Sequence, residues 1–235
     1  MLKSQTLLAT TIALAGIGVQ AHAATVLIDW SVATSASNPD TNGNFWNSLG
    51  PSSVGADVSA TALIADDNTA SGWTVEVLNP GTSTGFGGNG INGPAGPAPF
   101  DQLFAHRDGI FNNSNNGEDQ ATTITFAGLS ASTQYDFSAI GGRASSGEDG
   151  VIKVVTGTAV GGGEYTLPNS GVVIGFTVFS DASGSIVLTF DELDPAGSGA
   201  QNSTFNALRI TEVPEPGSLA LMGLGGLLIA RRRRG

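Results

Sequence analysis

The 235-residue chain has no cysteine, which excludes disulfides and thiolate metal sites. Charge is scarce too. Only 12% of residues are Asp, Glu, Lys or Arg, too few for the charged flanks of a coiled coil. No tandem repeat of fixed period runs through the sequence, which disfavours a solenoid or propeller. No helical period of useful length is found between the two ends. Aromatic residues make up 7%, so any flat stacking platform has to come from very few rings. Basic residues are the scarcest charge class. Five of the nine (Lys3 and Arg231 to Arg234) lie at the chain ends, leaving Arg107, Arg143, Lys153 and Arg209 against nineteen acids, a net of −15 for the body. Such a body repels phosphate backbones and excludes nucleic acid as a partner. Cations and neutral polymers fit it better, and the acidity also serves plain solubility.

The ends read as processing signals. Lys3 precedes an apolar stretch from Leu7 to Val19, followed by Ala21-His22-Ala23, with small residues at the two positions a signal peptidase reads. The expected cut lies between Ala23 and Ala24. At the other end, Val213-Pro214-Glu215-Pro216-Gly217 leads into an apolar run from Ser218 to Ala230, then Arg231, Arg232, Arg233 and Arg234. At about 1.5 Å per residue this run spans roughly 20 Å as a helix, short of the roughly 30 Å hydrocarbon core. The arginines hold that end in the cytoplasm and place the body outside. This order resembles the PEP-CTERM sorting signal: a Pro-Glu-Pro motif, a short Gly-containing hydrophobic transmembrane helix and a basic tail. The resemblance implies recognition by an exosortase in the inner membrane of a Gram-negative bacterium. The protein would be inserted transiently, then released to the cell surface or the extracellular polymer. An ordinary single-span anchor is the alternative. The expected organisation is a signal peptide at 1–23, a body at 24–212 and a sorting segment at 213–235.

Within the body, short alternating or β-branched runs are punctuated by Gly, Asn, Asp, Ser and Pro. They predict ten strands: Thr25–Trp30, Val58–Ile64, Trp73–Val77, Ala121–Phe126, Gln134–Ile140, Val151–Thr156, Glu164–Leu167, Val172–Phe179, Ser185–Phe190 and Ala207–Thr211. The fold class expected from this count is all-β, a two-sheet β-sandwich of jelly-roll type. Phe100–Arg107 is the one stretch with helical character. Asn79–Pro99 holds seven Gly and four Pro in 21 residues and reads as a loop, with Phe86, Asn89 and Asn92 as possible ligand contacts.

Gly128-Leu-Ser-Ala-Ser-Thr-Gln-Tyr-Asp-Phe137 reads as a strand-turn-strand corner and resembles the tyrosine corner of fibronectin-type sandwiches, where a Tyr hydroxyl ties back to the backbone upstream. The wider order (Leu27-Ile28-Asp29-Trp30, Phe45-Trp46-Asn47, Gly141-Gly142-Arg143, Asn206-Ala-Leu-Arg-Ile210) resembles secreted bacterial domains with a galactose-binding-like jelly roll, found alone or beside polysaccharide-active enzymes.

Candidate chemistry is sparse. Ser-His-Asp catalysis needs a histidine base; the body has only His106 and no Gly-x-Ser-x-Gly elbow, so His106 reads as a loop residue bonded to its neighbours. No residue qualifies as catalytic. Carboxylate pairs are numerous, and nothing in the sequence singles one out. Gly85–Gly90 and Gly161–Gly163 lack the Lys-Ser/Thr of a phosphate loop. Asp40, Asn42 and Asn44 put oxygen-bearing side chains at alternate positions of a turn, which suits Ca²⁺ and equally suits a turn that needs no ion. Asn112–Asp119 and Asp191-Glu192-Leu193-Asp194 are further candidates. For a sugar, Trp46 is a platform if exposed or a plug of the sandwich end if buried, with Asn47 beside it and Arg143 as a guanidinium fork.

The expected function is an exported, non-catalytic surface or extracellular-matrix protein associated with exopolysaccharide. Its partners are signal peptidase and exosortase, with calcium as its only candidate cofactor. The alternatives are a secreted polysaccharide-active hydrolase and a calcium-stabilised structural surface protein. Changing Pro214, Glu215 and Pro216 to alanine is expected to leave membrane insertion intact and block release. Intact mass of the secreted material checks this: a released form that still carries the four arginines refutes the sorting assignment.

Overall fold

Side chains alternate faces along a strand, so each body segment that alternates in hydrophobicity can face a core on one side only, and two such sheets must close on each other. The computed structural model describes residues 23–31, 38–50, 56–79, 85–87, 96–102, 104–113, 121–143, 148–193 and 202–214. The expected signal peptide with Ala21, the tail with Glu215, Pro216 and Arg231 to Arg234, and Asn89, Asn92 and Asp194 lie outside the described residues.

The body forms the expected two-sheet β-sandwich. The larger sheet contains β1 (Thr25–Asp29), β2 (Asn47–Ser48), β5 (Gly85–Gly87), β6 (Gly109–Asn113), β8 (Gln134–Gly142), β10 (Thr158–Val160), β12 (Ser170–Phe179) and β14 (Asn202–Glu212). Its order is β10-β12-β8-β14-β1-β2, with β6 continuing the β1 edge of β14 and β5 beside β6. The smaller sheet comprises β3 (Val58–Ile64), β4 (Ala70–Leu78), β7 (Thr122–Ala127), β9 (Gly150–Thr156), β11 (Glu164–Leu167) and β13 (Ile186–Glu192), in the order β11-β9-β13-β7-β4-β3. A four-residue helical turn, α1 (Phe104–Arg107), carries His106 and Arg107. Among the described residues no helix is long and apolar enough to cross a membrane.

All ten expected strands are present, and four more join them. β2, β6 and β10 escape the sequence because two to five residues carry too little alternation to register. β5 corrects the reading of Asn79–Pro99 as wholly loop: its Gly-Phe-Gly window is free of proline and pairs with Gly109–Phe111. The last strand begins at Asn202 rather than Ala207, because Asn-Ser-Thr lacks apolar alternation yet pairs with β6.

The main core lies between the sheets. Val26, Ile28, Phe137, Leu208 and Ile210 from the larger sheet meet Val75, Ile124, Phe126, Leu188 and Phe190 from the smaller, each contributing about 1.5–3 kcal/mol by burial. One open side is stitched by Asn47, whose amide donates to the carbonyls of Leu27 and Ile64 and accepts from the Ile64 N–H, all at 2.9 Å. The opposite sequence-predicted feature, the corner, forms as expected. Gly128 adopts φ 77°, and a Cβ there would come within 2.5 Å of the Gly72 carbonyl oxygen. The Ser130 N–H then donates to the Tyr135 hydroxyl at 2.8 Å, and the Tyr135 ring packs edge-on against Trp73 at 5.5 Å. Tyr135→Phe leaves that N–H without its acceptor. The expected cost is about 1–3 kcal/mol, read as a lowered urea midpoint with an unchanged far-UV spectrum.

Candidate functional site

The outer face of the larger sheet is not bare. Leu27, Ile140 and Ala207 project there and are covered by Trp46, Phe100 and Ala105, with Phe104 packed alongside. One carboxylate gathers four donors within the cover, and Asn38 exchanges two further hydrogen bonds with the Trp46 backbone. Asp40 Oδ1 accepts the backbone N–H groups of Asn42 (2.8 Å) and Asn44 (2.9 Å); Oδ2 accepts Asn44 Nδ2 (3.2 Å) and the indole Nε1–H of Trp46 (2.8 Å). Burial is the largest influence on the Asp40 carboxyl and pushes it up, but the bonds from Trp46, Asn44 and Asn42 outweigh it and hold the group below its ordinary range. A cation at Asp40 would have to displace four donors that already point at its oxygens.

The other sequence candidates are placed as follows. Trp46 is 1% exposed, its ring edge-on to Phe100 and Phe104, so it offers no face to a sugar; it is buried as expected of a plug, but as a cover on the outer face of the larger sheet and not at the sandwich end. Asn47 spends its amide on the inter-sheet stitch described above. Arg143 is half-buried just past β8, with its Nε buried and without an acceptor. Trp46 and Asn47 therefore present no free ring face or amide for a sugar to share with Arg143. Among the described residues no three His, Asp or Glu side chains are grouped to hold a metal ion.

Beside the Trp46 cover lies a groove of about 400 Å³ lined by Thr25, Leu27, Asn42, Asn44, Asp66, Ala98, Pro99, Arg209 and Thr211. Arg209 is its cation. Nη2 donates to Ser138 Oγ at 3.0 Å, and the buried Nε–H has no acceptor. Thr25 and Thr211 hydroxyls meet at 3.3 Å on the same wall. Asn42 Nδ2 donates to Asp101 Oδ1 at 3.0 Å, which fixes the rim. Guanidinium, amide, carboxylate and hydroxyl groups around one groove can exchange hydrogen bonds with a hydroxyl-rich ligand. Sequence reading overlooked Arg209, although the alternation Ala207-Leu208-Arg209-Ile210-Thr211 signals it. Leu208 and Ile210 face the core, so Arg209 and Thr211 face out.

Two acids lie buried elsewhere. Asp29 is fully buried; Oδ2 accepts the Ser48 hydroxyl at 3.5 Å, and Oδ1 has no partner. Burial first, and then the nearby Asp108 charge, push its carboxyl well above the ordinary range, with Ser48 only partly offsetting them. Asp108, 4% exposed, accepts the Ser31 hydroxyl at 3.1 Å. Two other candidate segments also meet: Asn112 Nδ2 donates to Asp191 Oδ1 at 2.6 Å inside the fold.

Residues 212–234 match the PEP-CTERM protein-sorting motif. The chain thus carries an exosortase sorting signal, the mark of an exported protein of Gram-negative bacteria with a membrane-anchored C-terminal segment. No curated protein matches the chain. Among solved structures it is similar to the ANXUR1 extracellular domain from Arabidopsis thaliana, at 11% identity and TM-score 0.39 over 68% of this chain and 52% of that one. It spans about half the length of that domain. It is also similar to the K1 cleaved adhesin domain of Lys-gingipain from Porphyromonas gingivalis W83, at 13% identity and TM-score 0.31 over 60% and 88% of the two chains. The enzymatically active domain of bacteriophage CBA120 tailspike protein 4 is a further similar structure, at 8% identity and TM-score 0.29 over 60% and 18%.

The Asp29 site sets a pH dependence. A carboxyl that holds its proton more tightly in the folded than in the unfolded chain supports stability fully below the ordinary Asp value of about 3.9, and that support is lost as pH rises through the elevated folded value. Asp29→Asn is therefore expected to flatten the decline of stability above about pH 4. Urea midpoints of both proteins across the pH range check this; parallel curves refute it.

Proposed function

We propose that the chain is a non-catalytic surface or extracellular-matrix protein that, once exported, associates with exopolysaccharide through the Arg209 groove. The observation that carries this reading is the groove itself: a guanidinium, two amides, two hydroxyls and a carboxylate around about 400 Å³, between β1 and β14 and the loops beside them. That set matches the alternating donors and acceptors of sugar hydroxyls. The body's net charge of −15 favours a neutral glycan over a polyanion. A hydrolase is supported less well. Asp29 and Asp108 interact electrostatically, but both are buried, at 0% and 4% exposure, whereas a carboxylate pair must reach the glycosidic bond.

The test is a glycan array and polysaccharide pull-down of residues 24–212, with and without calcium. The expected result is retention of a neutral polysaccharide that Arg209→Ala weakens by about ten- to a hundredfold, the worth of a hydrogen-bonded charge, while the urea midpoint stays within error. Retention unaffected by Arg209→Ala refutes the groove as the contact. Release of reducing ends from the polysaccharide refutes the non-catalytic assignment.

A further inference from the structure

The sorting motif does not begin beyond the fold; it begins inside it. Its first residue, Glu212, is the last residue of β14. The Glu212 N–H donates to the carbonyl of Ala24 at 2.9 Å, and the Val213 N–H donates to the carbonyl of Gln134, also at 2.9 Å. Pro214 is exposed and has no N–H with which to extend the ladder. The chain is thus gripped on both edges up to the residue before Pro-Glu-Pro, with no linker between fold and motif. The grip on one side is the first residue after the expected signal-peptidase cut, so both processing points lie at one pole of the sandwich.

That geometry constrains a membrane enzyme. Four residues, 214–217, separate the last paired residue from the apolar run, a span of at most about 14 Å. An enzyme that takes up a peptide needs it extended and free of other backbone partners. Glu212 and Val213 have partners already.

We infer that the end of β14 is a latch on tail processing: the exosortase engages the motif only after Glu212 and Val213 have left Ala24 and Gln134. The inference rests on the exosortase assignment of residues 212–234. Two backbone hydrogen bonds at a strand end favour the closed form by on the order of tenfold. Release is slowed by the same factor, since only the open fraction is competent.

Three full-length forms expressed in a Gram-negative host with an exosortase test this, each followed by the time course of release and by intact mass. The native chain sets the rate. A Gly/Ser linker of about six residues between Thr211 and Glu212 frees the whole motif, Glu212 and Val213 included, from the sheet and is expected to speed release by up to about tenfold. Gln134→Cys with Val213→Cys clamps the latch in a chain that otherwise has no cysteine and is expected to stop release until a reductant is added. Comparing the oxidised and reduced clamp within one protein separates the latch from any folding defect. Native-like rates for the linker form, or equal rates for oxidised and reduced clamp, overturn the latch while leaving the sorting assignment standing. A native chain that is never cut in that host, but accumulates in its membrane, overturns both.

Discussion

The structure depends on β14 being paired along both edges. One edge takes β8 over Phe205 to Glu212; the other takes β6 at its start and β1 at its end. The pairings are antiparallel, so the register of three neighbours is fixed by one strand. A register slip there would turn Leu208 and Ile210 out of the core and Arg209 into it. The ladder breaks between Phe205 and Ala207. At that irregularity Asn206 sends Nδ2 to the Asp108 carbonyl at 2.8 Å instead of following the alternation. It lets a strand that starts among polar loop residues finish as a regular wall between core and groove.

The groove depends on a second device, the Asp40 carboxylate. It gathers four donors of the 38–46 segment, which Asn38 also ties by exchanging hydrogen bonds with the Trp46 backbone, and without it the Trp46 indole N–H would lose its acceptor. The same loop that buries Trp46 presents Asn42 and Asn44 to the groove. One turn thus serves both the cover over Leu27 and Ala207 and the lining of the groove beside Arg209.

Much of the fold was legible because it rests on alternation. Val58–Ile64 and Glu164–Leu167 have the boundaries expected of them, and Tyr135 makes the backbone tie its corner motif implied. What was not legible depends on partners distant in sequence. Asn47 looks like a surface amide until Ile64 is brought to it. Trp46 looks like a stacking platform until Asp40 and Phe104 close on it. Asp40, Asn42 and Asn44 show the spacing of cation ligands, but that spacing also directs backbone and side-chain N–H groups inward onto one carboxylate, and sequence does not distinguish the two. Arg209 was legible by alternation alone; its importance depends on Thr25, Asn42 and Pro99 arriving from three other segments.

The sorting motif and the groove share β14. The groove's last lining residue is Thr211, held opposite Thr25 on β1, and the sorting motif starts at the next residue. Opening the strand end at Glu212 and Val213 releases Ala24 and Gln134 but leaves the pairs Thr25–Thr211 and Leu27–Arg209 in place. The cross-strand hydroxyl pair and the buried Ile210 raise the cost of opening the strand further. Loss of the tail beyond Pro216 therefore removes no atom of the groove.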